Sequence, residues 1–494
     1  MQAVDADRLL MALRRHRPDA SAIAALRAVS GGASQEVWSF DALSPRGAQG
    51  LILRRSRQWS ESGQQGSAGM AAEAALLRSA LEAGVPVPEV IGELLPSDGL
   101  GDGYLMRRVE GESSARAILR NSDFAQARCT LAAECGALMA RIHAMPEAKL
   151  PCLRRGGAVQ EHRHWEAAHR ANGTLRPVFE LALRWLAEHE PADSEPLVLV
   201  HGDFRNGNLM VGADGVRAVL DWELAHLGDP MEDLGWFCVN SWRFGNVGLE
   251  AGGLGTRAQL FAGYEAESGR RVDEERVHCW QVLGTLKWGI TCDAMGLAWR
   301  NGSDRSIERL AIARRVSEVE VDLLVAMGEI RPALLRERAD REIGVFEPDN
   351  PEPPPASAEE LTIAISELML ASTATGVGRT NRDARIGVSL QSTLARESEM
   401  GARLASEEAD RIHQILGMQA GLERLRAVLC TAIRNRSSVC DAATLSAHLW
   451  ATALGQLAID QPHYQWRHIG SDTNPTYLER LSECLEVARD DERA

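Results

Sequence analysis

The sequence predicts an α+β chain in two parts: a two-lobed unit of mixed strand and helix, then a separate all-α bundle. Three observations carry this. Short apolar runs of strand character crowd residues 20–109 and return at 196–228, while helical spacing prevails elsewhere. The segment 344–357, GVFEPDNPEPPPAS, holds five prolines and no apolar face, which marks an extended linker. Beyond it, the apolar repeats keep helical spacing. At 494 residues the chain exceeds one ordinary domain of roughly 100–200 residues.

Composition narrows the class. The chain is 45% hydrophobic and 25% charged, which excludes a wholly disordered, collagenous or coiled-coil protein. No run of eighteen apolar residues is present, so no membrane span is expected. The first twenty residues are amphipathic, carry Asp5 and Asp7, and lack the apolar core of a secretory signal. The nine cysteines include no CxxC pair and sit mostly in apolar helical stretches, as buried free thiols of a reducing, cytoplasmic compartment would. A net charge of −15 argues against a nucleic-acid surface. Of the 54 basic residues, only Lys149 and Lys287 are not Arg.

The elements follow in order. Residues 4–16 repeat apolar positions at helical spacing. LRAVSGGASQEVWSFDA predicts strand, glycine turn, strand, and Leu51–Arg54 a third strand. Residues 58–68 are polar and rich in Gly and Ser, a loop. Residues 69–83 predict a helix stopped by Gly84 and the VPVP at 85–88. Strands are expected at Val90–Leu95 and Gly103–Val109, and helices over 114–190 with a break at 150–157. LVLVHGD predicts a buried strand running into a loop. LMVG and VRAVLDWE predict a hairpin about Ala213, Asp214 and Gly215. Helices are expected over 231–340 and through the tail 358–494, where Leu422, Leu425 and Leu429 share a face and Asn474-Pro475 opens a last helix. In that tail His448 and His463 are expected to be satisfied or exposed rather than ligands.

The chemistry concentrates in 200–223, VHGDFRNGNLMVGADGVRAVLDWE. Asp203 follows a buried strand, Asn208 stands five residues on, and Asp221 ends the hairpin. A strand, loop and hairpin can bring the three side chains together. Asn and Asp offer hard oxygen ligands that suit Mg²⁺, and a further carboxylate can take a hydroxyl proton. That set fits phosphoryl transfer from ATP.

HGDFRNGN resembles the catalytic loop of the aminoglycoside phosphotransferase-like kinases, relatives of protein kinases. His201, Gly202, Asp203, Asn208 and Asp221 match that family in type and spacing. Five specified residues at fixed offsets arise by chance on the order of 10⁻⁴ times in such a chain, at about 5% per residue type. The resemblance covers roughly residues 20–340 and implies a two-lobed protein-kinase-like fold. It implies Asp203 as catalytic base, Asn208 and Asp221 as Mg²⁺ ligands, His201 as a structural residue, and Asp229 and Asp233 as braces of the loop. Arg205, two residues after the base, is expected to stabilise the transferring phosphoryl group. The glycine turn, with Gly31, Gly32 and Ser34, is expected to cover the phosphates of ATP. Arg54 stands where the family keeps its ATP-holding Lys, with Glu73 as its partner. Backbone groups near Met106 and Arg108 are expected to meet adenine at the hinge.

The domains so implied are a nucleotide-binding lobe at 1–108, a helical lobe with catalytic loop and acceptor site at 109–343, the linker at 344–357, and the all-α domain at 358–494. The chain is most similar to the branch that includes the kinase domain fused to some acyl-CoA dehydrogenases. It shares that branch's Gly-Gly loop, Leu-Arg-Arg strand, VPVP, Arg after the base, and Asp-Trp-Glu. The acceptor so implied is a small hydroxylated metabolite such as a hydroxyacyl-CoA, with Arg154, Arg155, His162, Arg163 and His164 as candidates for its phosphates. The alternatives are an aminoglycoside-type antibiotic kinase, and a pseudokinase or interaction protein acting through the helical tail. The tail resembles a companion domain of bacterial members and is a candidate lid or homodimer surface.

Overall fold

A computed structural model describes residues 4–29, 35–56, 68–189, 191, 196–328, 357–375, 381–437 and 441–464. Of the described residues, 57% are helical and 14% are in strands. The element order is α1 (Ala6–Arg14), β1 (Ala22–Val29), β2 (Glu36–Ser44), β3 (Gly47–Ser56), α2 (Met70–Glu82), β4 (Val90–Glu93), β5 (Asp102–Arg107), α3 (Ala115–Arg120), α4 (Ala125–Arg128), α5 (Leu131–His143), α6 (Ala158–Asn172) and α7 (Pro177–His189). Then follow β6 (Val198–Val200), β7 (Leu209–Gly212), β8 (Gly215–Val219), β9 (His226–Gly228), α8 (Met231–Phe237), α9 (Arg257–Ser268), α10 (Glu274–Arg300), α11 (Ile307–Ala313) and α12 (Val316–Ala326). The tail contributes α13 (Ala358–Thr375), α14 (Asn381–Leu416), α15 (Leu422–Arg434) and α16 (Ala442–Asp460).

The first five strands form an antiparallel sheet in the order β1-β2-β3-β5-β4. The two-residue period of β3 puts Leu51 and Leu53 into a core with Leu9, Leu13, Trp38, Phe40 and Leu105. The same period turns Arg54 to the opposite face of the sheet. Gly84, at φ +75°, ends α2 in the left-handed region, where the sequence places the stop. After the hinge the chain pairs with the catalytic hairpin, since Glu112 and Val211 exchange backbone bonds of 2.9 Å in both directions. The small strand β9, paired with β6, is an element the sequence reading does not contain.

Packing divides the chain into two units: Met1–Glu161 with Pro191–Gln281, and His162–Glu190 with Val282–Ala494. The boundaries therefore fall inside α6 and α10, elsewhere than at the proline-rich linker, which lies outside the described residues apart from Ser357. The reason is visible in the second unit. Helices that precede the linker share ion pairs with helices that follow it: buried Arg314 with Asp460 and Glu397, and buried Glu180 with the exposed Arg434. The polar loop 58–68, except Ala68, and the helix start at Asn474-Pro475 also lie outside the described residues. Among the described residues, no helix is long and apolar enough to cross a membrane.

Candidate active site

The site lies in the first unit, on the loop between β6 and β7. Buried β6 delivers the chain to His201 and Gly202, whose N–H groups donate to Asp233 Oδ2 at 2.8 Å and Oδ1 at 2.9 Å. Asp233 comes from α8 and also takes His143 Nε2 at 3.1 Å, while His143 Nδ1 meets the Tyr264 hydroxyl at 3.0 Å. Burial alone would raise the Asp233 carboxyl, but the hydrogen bond and charge of His143 and the loop amides hold it low. Asp233 thus braces the loop as expected. Gly202 sits at φ +76°, and a Cβ there would lie 2.5 Å from the Leu224 carbonyl, so glycine is required. His201 is structural. Its Nδ1 accepts from the Asp203 amide at 3.2 Å and its Nε2 meets the Leu220 carbonyl at 3.0 Å. Burial lowers its pKa, so the ring is neutral and its tautomer is set.

Asp203 is caged. Oδ1 accepts from the Trp236 indole at 2.9 Å and from Arg205 Nε at 3.0 Å, and Oδ2 accepts from Asn208 Nδ2 at 2.7 Å. The Arg205 guanidinium lies 4.9 Å from the Trp242 ring centre, which adds a cation–π contact. Asn208 Nδ2 also reaches the Asp203 carbonyl at 3.0 Å. With its nitrogen so committed, Oδ1 is the end of Asn208 left for a cation.

The second cluster gathers on Arg54. Its Nε lies 3.1 Å from Glu73, its Nη2 lies 2.5 Å from Asp221, and Glu223 stands 3.9 Å away. The expected pair of Arg54 and Glu73 is therefore present. The Nε contact is an ion pair rather than an aligned hydrogen bond. Gln35 Nε2 bridges Glu73 and Glu223 at 3.1 and 3.2 Å, and Tyr104 donates to Glu73 at 3.2 Å. Burial raises the Glu73 pKa against the pull of Arg54. At Asp221 burial acts upward too, but the charge and hydrogen bond of Arg54 outweigh it and hold the carboxyl low. Asp221 has φ +65°, a costly backbone for a residue with a Cβ and a form of strain found at functional sites. Three carboxylates around one guanidinium leave negative charge in excess. That donor set of hard oxygens fits a divalent cation such as Mg²⁺, with Asp221 and Asn208 Oδ1 to hold it.

The remaining expectations divide. Gly31, Gly32 and Ser34 lie outside the described residues. Met106 pairs with Ile52 and Val90 in the sheet. The amides of Arg107 and Arg108 are already engaged, by the carbonyls of Glu89 and Gly50, which narrows what the hinge can offer a purine. The Arg108 side chain binds Asp41 at 2.9 Å and Ser39 at 3.1 Å, bracing β2. The cations expected to receive acceptor phosphates are partly spoken for: Arg154 pairs with Glu161, and Arg155 with Glu147. His226 is likewise joined to Glu232 at 3.1 Å. Sequence reasoning missed Gln35, Tyr104, His143, Trp236 and Trp242, and named Glu223 only as part of the Asp-Trp-Glu motif, without a role. Of the missed residues, Trp236 carries a local signal, standing three residues after Asp233 on one helix.

The strand-rich lobe, the braced loop and the hairpin define a kinase-like phosphotransferase. The chain belongs to the Phosphotransferase enzyme family, whose pattern residues 25–271 match; residues 374–464 match a domain of unknown function. The chain is 31% identical to mouse acyl-CoA dehydrogenase family member 10 over 172 residues, which is 33% of this chain and 16% of that protein. It is 30% identical to chicken acyl-CoA dehydrogenase family member 11 over 172 residues, 32% of this chain and 21% of that one. The aligned segment thus spans about a fifth or less of these relatives. The fold is similar to that of a Ralstonia eutropha protein provisionally described as an aminoglycoside phosphotransferase, with TM-score 0.52 and 21% identity over 66% of this chain and 99% of that one.

Proposed function

We propose that the protein transfers the γ-phosphoryl group of ATP to a hydroxyl of a small metabolite, with a hydroxyacyl-CoA thioester as the acceptor class. The observation that carries this is the caged carboxylate of Asp203, whose partner Asn208 offers the remaining oxygen toward a cation. Arg205 Nε is shared between the two oxygens, at 3.0 and 3.2 Å, so Oδ2, whose one other donor among the described residues is Asn208, is the oxygen with capacity for an acceptor hydroxyl. Asp203 holds that hydroxyl for in-line attack and accepts its proton as the bond to phosphorus forms. Arg205, fixed on Trp242, stabilises the charge of the transferring group. Arg54 orients Asp221 from the sheet side and, with Glu73, sets the position of the phosphates. Mg²⁺ held by Asn208 and Asp221 would supply charge neutralisation on the phosphates. The thioester class draws its support from the similarity to the acyl-CoA dehydrogenase family members and from the branch motifs.

The test is ATP-dependent phosphorylation followed by mass spectrometry, on hydroxyacyl-CoA thioesters of several chain lengths beside several aminoglycosides. Asp203→Ala is the control. One added phosphoryl group on a thioester, absent with D203A, is the expected result. Product on an aminoglycoside alone overturns the acceptor class. No product on any acceptor, with metal-independent ATP binding, overturns the enzymatic reading in favour of an interaction protein.

A further inference from the structure

Helix α8 grips the catalytic loop twice. Asp233 takes the backbone amides of His201 and Gly202, and Trp236, one turn on, donates its indole N–H to the side chain of Asp203. Residues three apart on a helix share a face, so one rigid element holds both the backbone and the carboxylate of the loop. The whole of α8 is buried, and Trp236 is 5% exposed. It also packs on Trp242, at 5.1 Å between ring centres, and Trp242 in turn carries Arg205. The other two donors to Asp203 sit on the loop itself: Arg205 two residues on, Asn208 five. Both have a second task in the proposed chemistry, one toward the phosphoryl group and one toward the metal. Trp236 has no such task. Its single indole N–H is spent on Asp203, where it can set the rotamer of the carboxylate.

We propose that Trp236 is the positioning residue of the catalytic carboxylate. It pins Oδ1 of Asp203 so that the remaining lone pair faces the acceptor hydroxyl, before and independently of nucleotide binding. This rests on the reading of Asp203 as the base. Angular freedom of that carboxylate would cost rate rather than affinity, because the acceptor and ATP are held by other groups.

Two measurements on the full chain test it. The first is the nitrogen-15 spectrum of the tryptophan indoles in wild type, Trp236→Phe and Asp203→Asn. The lost peak in W236F identifies Trp236 among the 12 tryptophans. In D203N that peak should move upfield and its proton should exchange faster, because a neutral amide accepts more weakly than a carboxylate. An unmoved peak overturns the proposal whatever the acceptor is. Should W236F not fold, Trp236→His, which keeps a ring donor, provides the assignment. The second is steady-state turnover of Mg·ATP with water or the identified acceptor. W236F should lower kcat on the order of 10- to 100-fold and leave KM for ATP within about twofold, with W236H recovering part of the loss. A fall in melting temperature with unchanged kcat would reduce Trp236 to packing and overturn the proposal. Wild type without turnover, beside a D203N-sensitive indole, would sink the kinase reading and leave the positioning contact standing.

Discussion

Two regions of the molecule bury arginine against carboxylate, and they do it differently. Around Arg54, in the first unit, one guanidinium meets Glu73, Asp221 and Glu223. Around Glu180 and Arg176, in the second, Glu180 is shared by Arg170 and Arg434, and Arg176 by Asp293 and Glu320. There three guanidiniums meet three buried carboxylates and the half-buried Glu166, most of them on regular helices. At Arg54 the carboxylates outnumber the cation, and Asp221 stands on left-handed backbone. A balanced set satisfies itself and reports on stability. An unbalanced, strained set attracts further positive charge, and points to function.

The largest expected effects separate the two regions cleanly. Asp203→Ala should lower kcat on the order of 10²- to 10⁴-fold while Mg·ATP binding and the unfolding midpoint stay put. Calorimetric titration and urea unfolding of the same sample check both halves. Glu180→Gln should do the reverse. It leaves Arg170 and Arg434, both partly open to solvent, beside a neutral amide and should cost about 1–2 kcal/mol of stability. Turnover per folded molecule should be unchanged. A kinetic defect in E180Q that tracks no loss of fold would break the distinction. The acid limb sharpens it. Burial would raise the Glu180 carboxyl, but hydrogen bonds from His169, Arg434 and Arg170 hold it far below the usual range. Its contribution is therefore complete above the ordinary carboxylate pKa and is lost as pH falls toward the depressed value. Wild type and E180Q should converge in stability in strong acid.

A smaller effect comes from His448, which the sequence reading expects to be satisfied or exposed. His463 is exposed, but His448 is 2% exposed and neither of its ring nitrogens has a hydrogen-bond partner among the described residues. The expectation of helix through the whole tail does not foresee that a histidine of α16 is buried. Desolvation lowers its pKa to about 4, with Glu408 opposing and Arg411 and Arg426 reinforcing the shift. The unfolded chain takes up a proton below about pH 6.5 that the folded chain refuses until about pH 4. Stability should fall by about 2 kcal/mol between pH 6.5 and pH 5 on this account. His448→Leu should remove that slope and leave the rest of the pH profile alone. An identical slope in the variant would show that the ring finds a partner in solution.

What was legible in the sequence follows from distance along the chain. The loop from His201 to Asn208 and the hairpin to Asp221 are local, so spacing alone places their groups. The partnership of Arg54 and Glu73 came from resemblance, and the structure places the two side chains 3.1 Å apart. Gln35, Tyr104 and His143 were not legible because each meets the site across tens of residues or more, through packing that no local period records. The packing of the tail was hidden for the same reason: the pairs Arg314–Asp460 and Glu180–Arg434 join residues 146 and 254 positions apart.

The finest test of the comparison is Arg54→Lys, in a chain where only Lys149 and Lys287 carry an ammonium. A guanidinium reaches two carboxylates at once, here Glu73 through Nε and Asp221 through Nη2. An ammonium is a point charge on a flexible stem and can favour only one of them closely. The burial that raises Glu73 would then act with less opposition, and Glu73 should take a proton more readily. Asp221 would lose the contact that holds it low and in place. R54K should therefore weaken Mg·ATP binding about 10-fold, the equivalent of one good charge-assisted contact. The loss should be confined to the metal-dependent part, measured as the difference in affinity with and without Mg²⁺. The same conservative exchange at Arg176, between Asp293 and Glu320, should change unfolding and leave nucleotide affinity untouched. If R54K binds Mg·ATP as tightly as wild type, the excess carboxylates at Arg54 are a structural set after all, and the two regions differ only in where they sit along the chain.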